Sequence, residues 1–387
     1  MMTTDYEKIK QTAVTVIRDV CALQKGERVL IITNPEDETL EISRRLYEAA
    51  DELGGKAVIV MQKTKTLLDF AEPEVIAALH TEPDICLSVS ANKLGKDEAG
   101  SKKPFVAENG EEFNHIFNYN FEGKKNMRAI WTPGITIDMF IRAANIDYAL
   151  LQKRCRILAD KFCKASYVHV TAPGGTDIKV PVHGRTAFCD DGDFSKPGNG
   201  GNIPAGEVFI SPLTPKTSAG CEGRIVFDGS ISVTEGCFII TDPIIADVKG
   251  YVSSITSKAG RPVDGSDPDC EAYRLLRCIT AAENQAVQME KEGRLPAGAG
   301  AEYVRNARNI GELGIGLNPA ALITGKMLED EKAFKTCHFA IGSNYDNDAR
   351  SLIHFDGVVR NPTIVIHYED GSEFTVEKDG ELNDLLT

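Results

Sequence analysis

Two of the seven histidines in this 387-residue chain stand in apolar stretches near its C-terminal end. One reads Cys337-His338-Phe339-Ala340-Ile341-Gly342, the other Ile353-His354-Phe355-Asp356-Gly357. In an extended strand, residues i and i+2 point to the same face. His354 and Asp356 therefore present an imidazole and a carboxylate side by side. Ile353, Phe355 and Val358 surround the pair with apolar groups, and polar groups buried there are costly unless partnered. A divalent cation satisfies all of them at once. Two further carboxylates have unusual surroundings. Glu207 follows the Gly- and Pro-rich run Gly201-Asn202-Ile203-Pro204-Ala205-Gly206 at the start of an apolar strand. Glu312 is the single charge between Asn309 and Pro319, a stretch with glycines at 311, 314 and 316. Glycines admit close backbone approach, and a lone carboxylate among them needs a positive partner.

Together, Glu207, Glu312, His338, His354 and Asp356 offer three carboxylates and two imidazoles. That donor set suits two divalent ions about 3.5–4 Å apart, an arrangement that activates water and clamps a tetrahedral intermediate. Hydrolysis is the chemistry that follows. Tyr345 could donate its phenolic hydrogen bond to a developing oxyanion. Taken singly, each residue has an ordinary explanation: a structural His-x-Asp pair, a strand-end acid, a salt-bridge partner, a packed or surface tyrosine. Only the set points to chemistry. His80, His115, His169, His183 and His367 read as structural or surface groups.

The elements that must position these residues fall into two textures. Up to about residue 150, helical and strand patterns alternate. Helices are expected over 6–23, 38–53 and 72–80, and strands over 28–33, 57–61, 84–88 and 128–132. This order implies a parallel sheet covered by helices. Asn34-Pro35-Glu36-Asp37 follows the first strand, so no glycine fingerprint for a dinucleotide is present. Residues 92–126 read as a long polar excursion. A helix over 147–165 leads into the second half. There, hairpins are expected at 167–182, 222–234 and 363–377, with further strands at 237–241 and 248–256 and one long helix over 270–293. The fold class is thus an α/β N-terminal domain (1–165) with a parallel sheet, followed by an α+β, mainly antiparallel, metal-binding domain (166–387).

Composition narrows the function. A net charge of −14 opposes binding to phosphate backbones, and no long Lys/Arg run offsets it, so no nucleic-acid partner is expected. No apolar run is long enough for a transmembrane helix. The polar, acid-bearing first residues resemble neither a signal nor a transit peptide, so the expected location is the cytoplasm. Ten cysteines occur without a C-x-x-C pair, which reads as reduced core thiols rather than a zinc ribbon.

Three elements of the sequence resemble the aminopeptidase T / aminopeptidase S family of metallo-aminopeptidases: Asn202-Ile203-Pro204-Ala205-Gly206-Glu207-Val208-Phe209, Gly311-Glu312-Leu313-Gly314-Ile315-Gly316, and His338 to Gly342 followed by His354-Phe355-Asp356. Weaker likeness extends over most of the chain. The resemblance implies that Glu207, Glu312, His338, His354 and Asp356 hold two metal ions, zinc or cobalt, with manganese also accepted. It implies that Tyr345 is the catalytic tyrosine, with Glu312 also acting in catalysis. It further implies a homodimer that removes N-terminal residues from short peptides. The stretch between His338 and His354 is shorter than the family pattern, and Asp346 to Arg350 replaces its Gly-Gly segment.

Two other functions compete. His338, His354 and Asp356 alone would form a two-histidine, one-carboxylate set for mononuclear Fe(II), as in ring-cleaving hydroxypyridine dioxygenases, which look distantly similar in fold. A non-catalytic structural metal site is the third reading, but such sites are closed and rich in Cys and His.

Overall fold

The computed structural model describes residues 3–66 and 68–387. Contacts divide the chain into two units. The first contains residues up to Gln152 together with Asp190–Ala205, and the second contains Lys153–Cys189 and Gly206–Thr387. The expected cut after 165 treats the chain as two continuous pieces. Instead the division falls inside helix Tyr148–Phe162, and Asp190–Ala205 belongs with the first unit. The cause is Gly200–Asn202, which pairs parallel with Arg128–Trp131 and adds a fifth strand to the first unit's sheet.

That sheet runs in the order Gly200–Asn202, Arg128–Trp131, Ile85–Val89, Arg28–Thr33, Lys56–Met61, with every pairing parallel. Val29 to Ile32 and Ile85 to Val89 are buried throughout, as strands covered on both faces must be. Helix Asp37–Glu52 buries Ile42, Ser43, Leu46, Ala49 and Ala50, the one-sided spacing of an amphipathic helix. The excursion over 92–126 holds the short helices Glu98–Lys102 and Ile116–Asn118 and a pairing of Phe105–Val106 with Glu112–Phe113.

The second unit is built on antiparallel pairings. One sheet contains, in order, Ser230–Val233, His354–Arg360, Thr336–Gly342, Ile310–Gly316 and Glu207–Ile210. The other runs Ile244–Ser257, Cys221–Phe227, Asp177–Pro181, Ala165–Thr171, Thr363–Tyr368, Glu373–Lys378, Glu381–Leu382. The expected hairpins at 167–182 and 363–377 form as antiparallel pairs. The one at 222–234 does not. Cys221–Phe227 pairs with Ile244–Ser257, whereas Ser230–Val233 pairs with Gly236–Ile239 in the other sheet. Asp228-Gly229 is a crossing between sheets. Both of its N–H groups donate to the Val358 carbonyl, and Asp228 Oδ1 accepts from the Arg360 N–H at 2.8 Å. The ring of Phe227 fills the space that Gly357 leaves open.

Seven of the ten thiols are buried as core groups, and burial pushes Cys21 up to about 12. Among the described residues no helix is long and apolar enough to cross a membrane.

Glu377, in strand Glu373–Lys378, is fully buried, and neither carboxylate oxygen finds a hydrogen-bond partner. Burial, and then the charge of Glu381, push its carboxyl up to about 8, against partial relief from Lys335. The folded state therefore holds this proton more tightly than the unfolded chain. Its stability contribution is fully present below pH ~4.5 and is lost as pH rises to about 8. The swing is on the order of a few kcal/mol. Glu377→Gln removes it, so the variant should melt higher than the parent at pH 8.5 and converge with it near pH 5. Parallel melting curves across that range would count against a buried, protonated Glu377.

Candidate metal centre

Register explains how five dispersed residues meet. Gly314 lies opposite His338, Glu312 opposite Ala340, Ala340 opposite Asp356, Gly342 opposite His354, and Glu207 opposite Gly316. Directly opposed residues share a face, so all five donors project from one side of the sheet. The other side carries Leu313, Ile315, Cys337, Phe339, Ile341 and Phe355, all buried as core. Small residues alternate with the donors on the polar side: Gly314, Gly316, Ala340 and Gly342. They keep the space above the sheet open for long side chains.

Gly314 has the tightest role. A Cβ there would overlap the imidazole of His338. Gly314→Ala should therefore displace that ring and reduce divalent-ion affinity by tenfold or more, the scale of losing support for a ligand. Calorimetric titration with Zn²⁺ or Mn²⁺ checks this, and unchanged affinity would reject the role.

The donors form two groups of three, each with its ligand atoms within 4.8 Å of one another: Glu207, Glu331 and His338, and Glu312, His354 and Asp356. Glu312 links the groups. Its Oε1 lies 3.1 Å from His338 Nε2, and its Oε2 lies 3.0 Å from His354 Nε2. His354 donates from Nδ1 to the Ser343 carbonyl at 2.8 Å, which turns Nε2 toward the carboxylates, the orientation expected of a metal-ligating histidine. Asp356 Oδ1, 3.1 Å from His354 Nε2, is buried without a hydrogen bond.

The electrostatics fit a cation. Four carboxylates share this pocket with one ammonium, and Glu207, Glu312, His338 and Lys332 are all buried. Burial alone would raise the Glu312 carboxyl, but hydrogen bonds from His338 and His354 outweigh it and hold it at about 2. Burial likewise opposes protonation of His338, yet Glu312 and then Glu207 raise it to about 9. Asp356 and Glu312 hold His354 well above its usual value against the same penalty. Without an ion the imidazoles must take up protons to offset the carboxylates. A divalent cation supplies that charge while the imidazoles stay neutral.

Glu331 was not anticipated. It belongs to the run Glu329-Asp330-Glu331-Lys332, which reads as a solvated helix end. In the structure Glu329, Asp330 and Lys332 are buried. Asp330 caps the N–H groups of Thr324 and Gly325. Lys332 Nζ bonds Glu207 Oε1 at 2.9 Å and Glu331 Oε1 at 2.6 Å. Gly316 makes this possible, since a Cβ there would overlap the Ala333 carbonyl. No local spacing signals any of this.

Tyr345 stands beside the second group, its ring 5.4 Å from the His354 ring in edge geometry and 4.9 Å from Phe209. It is half-exposed. Desolvation, and then the charges of Glu312 and Asp356, push its phenol well above the usual range, so it is a donor and not a phenolate. Its loop is pinned. Arg185 donates to Asp348 Oδ2 at 2.7 Å and pairs with Asp346, and the Asn344 side chain bonds Asp348 and the Ala349 N–H.

No family model matches the sequence, and no curated protein does. Solved structures do match the fold. A 2,5-dihydroxypyridine dioxygenase from Pseudomonas putida superposes with a TM-score of 0.67 at 15% identity, covering 98% of this chain and 98% of that one. AmpT from Thermus thermophilus superposes with a TM-score of 0.63 at 15% identity, covering 97% of this chain and 99% of that one. The chain shares the fold of both proteins: a parallel sheet with helices, followed by a mainly antiparallel region.

Proposed function

We propose that the protein is a metal-dependent aminopeptidase acting on short peptides. The observation that carries this reading is the pair of three-donor groups joined through Glu312. Glu207, Glu331 and His338 would hold one ion, and Glu312, His354 and Asp356 the other. Ions bound there would supply activation of water and polarisation of the scissile carbonyl. The chain's own residues do the rest. Glu312 spans both groups and fixes their separation. Tyr345, kept protonated, donates a hydrogen bond toward a carbonyl oxygen. An ion held in one of the groups would also take a substrate's free amine, which would confine cleavage to N-terminal residues. A homodimer, a cytoplasmic location and zinc, cobalt or manganese as the native ion are part of the same proposal.

The second reading is a mononuclear Fe(II) dioxygenase, favoured by the fold shared with the Pseudomonas enzyme. It needs His338, His354 and Asp356 around one ion, whereas His338 groups with Glu207 and Glu331, apart from His354 and Asp356. The test strips the protein of metal and resupplies Zn²⁺, Co²⁺, Mn²⁺ or Fe²⁺. Release of N-terminal residues from a panel of di- to pentapeptides, with two ions per chain, is the expected result. One iron per chain with oxygen uptake on a dihydroxypyridine would replace it with the second reading.

A further inference from the structure

The donor-bearing face of the sheet continues past the metal centre as a row of rings. Glu207 and Phe209 are two apart in one strand and so share that face, while Val208 and Ile210 turn into the core. Phe209 stands opposite Gly314, which stands opposite His338, so ring and imidazole lie on one cross-strand line. Phe188, in the edge strand Phe188–Asp190, stacks on Phe209 with centroids 5.5 Å apart at 22°. Tyr345 packs on Phe209 at 4.9 Å and meets His354 edge-on at 5.4 Å. These are the spacings of favourable aromatic pairs. Phe188, Phe209, Tyr345 and His354 thus form one unbroken line from the edge of the sheet to the centre.

A row built only to hold the Tyr345 loop would be buried. Instead Phe188 is 40% and Tyr345 54% exposed. The loop also has polar anchors of its own in Arg185, Asp346, Asp348 and Asn344, so the rings are not needed to fix it. Contiguous exposed apolar surface beside a polar site marks a ligand groove. Its direction says which part of a peptide it takes. His354 is the most exposed of the six donors, at 24% against 16% for Asp356 and 14% for Glu331, so the centre opens where Tyr345 stands. An aminopeptidase leaves one residue on the amine side of the cut and a chain of any length on the other. The longer side needs a path to solvent. The row supplies one, since it starts at Tyr345, beside the scissile carbonyl of the proposed reaction, and ends on the exposed ring of Phe188.

We propose that Phe188, Phe209 and Tyr345 form a subsite for an aromatic side chain on the second residue of the peptide, the one that follows the cut. This rests on the aminopeptidase reading. The probes are the tripeptides Ala-Phe-Ala, Phe-Ala-Ala and Ala-Ala-Ala, given to the full-length protein reloaded with Mn²⁺ or Zn²⁺. Ala-Phe-Ala should be cut with a kcat/KM about tenfold above that of Ala-Ala-Ala, the scale of filling an apolar pocket, and above that of Phe-Ala-Ala. Phe188→Ala should remove most of that preference through KM, because a ring remote from the reacting atoms binds ground state and transition state alike. Phe188→Tyr keeps a ring and should retain the preference. Phe188 is exposed, so neither change threatens the fold, and a merely structural ring would lower all three substrates together. Equal rates for Ala-Phe-Ala and Ala-Ala-Ala, a preference for Phe-Ala-Ala, or an undiminished preference in Phe188→Ala would overturn the assignment. So would a shift of Phe188→Ala from dimer to monomer in sedimentation, since a second copy would then cover the ring. If none of the three peptides is cut, the aminopeptidase reading fails by itself, and calorimetry with the same peptides decides on the row. Tighter binding of Ala-Phe-Ala than of Ala-Ala-Ala, abolished in Phe188→Ala, upholds the aromatic subsite, and equal binding overturns it.

Discussion

Glu312→Gln should abolish the proposed peptide hydrolysis while leaving the fold intact. The change keeps shape and removes charge from the one carboxylate that touches both imidazoles, at 3.1 and 3.0 Å. Losing a single charge-stabilising group from a preorganised site costs about 10²–10³ in rate. Glu312 serves both donor groups, so its loss belongs at the upper end of that range or beyond. The bound ions should fall below two per chain by elemental analysis, with far-ultraviolet circular dichroism unchanged. Full turnover with both ions retained would remove the link between this carboxylate and the chemistry. Glu207→Gln is the informative companion, because it touches one group only and should weaken one ion while sparing the other.

Lys332→Met should be the most damaging change to stability in the ion-free protein. Lys332 is completely buried and its ammonium bonds both Glu207 and Glu331. Removing one partner from a buried charge network costs about 3–5 kcal/mol. Denaturant titration of chelator-treated protein should show that loss. Addition of a divalent ion should recover part of it, since binding to the folded state alone raises stability. A variant as stable as the parent in chelator would mean that the ammonium is not what balances these carboxylates.

Much of this was legible in the residues. The apolar runs of the first unit announce a parallel sheet because its central strands, Arg28–Thr33 and Ile85–Val89, are buried on both faces. His354-x-Asp356 announces a shared face because a strand has a period of two. The glycines around Glu312 mark a place where something bulky must pass, and His338 is what passes over Gly314. What was hidden depends on contacts distant in sequence. Asp228-Gly229 has the composition of a hairpin turn, yet Val358 and Arg360 recruit it to a different sheet. Glu331 sits in a run of four charges that looks solvated, and only the packing of that run over Gly316 turns it inward. The strand at 200–202 is too short and too rich in glycine to declare itself, and pairing with Arg128–Trp131 creates it.

The six donors come from positions 207 to 356 and from four separate strands plus the segment after helix Met327–Asp330. No short peptide of this chain contains a complete set. A cation therefore cannot nucleate folding as zinc does in a finger, where neighbouring ligands close a small loop. The polypeptide has to finish its architecture first, with lysine and imidazolium protons as placeholders. Any ion bound by these donors would then be loaded after folding, as a swap of protons for metal.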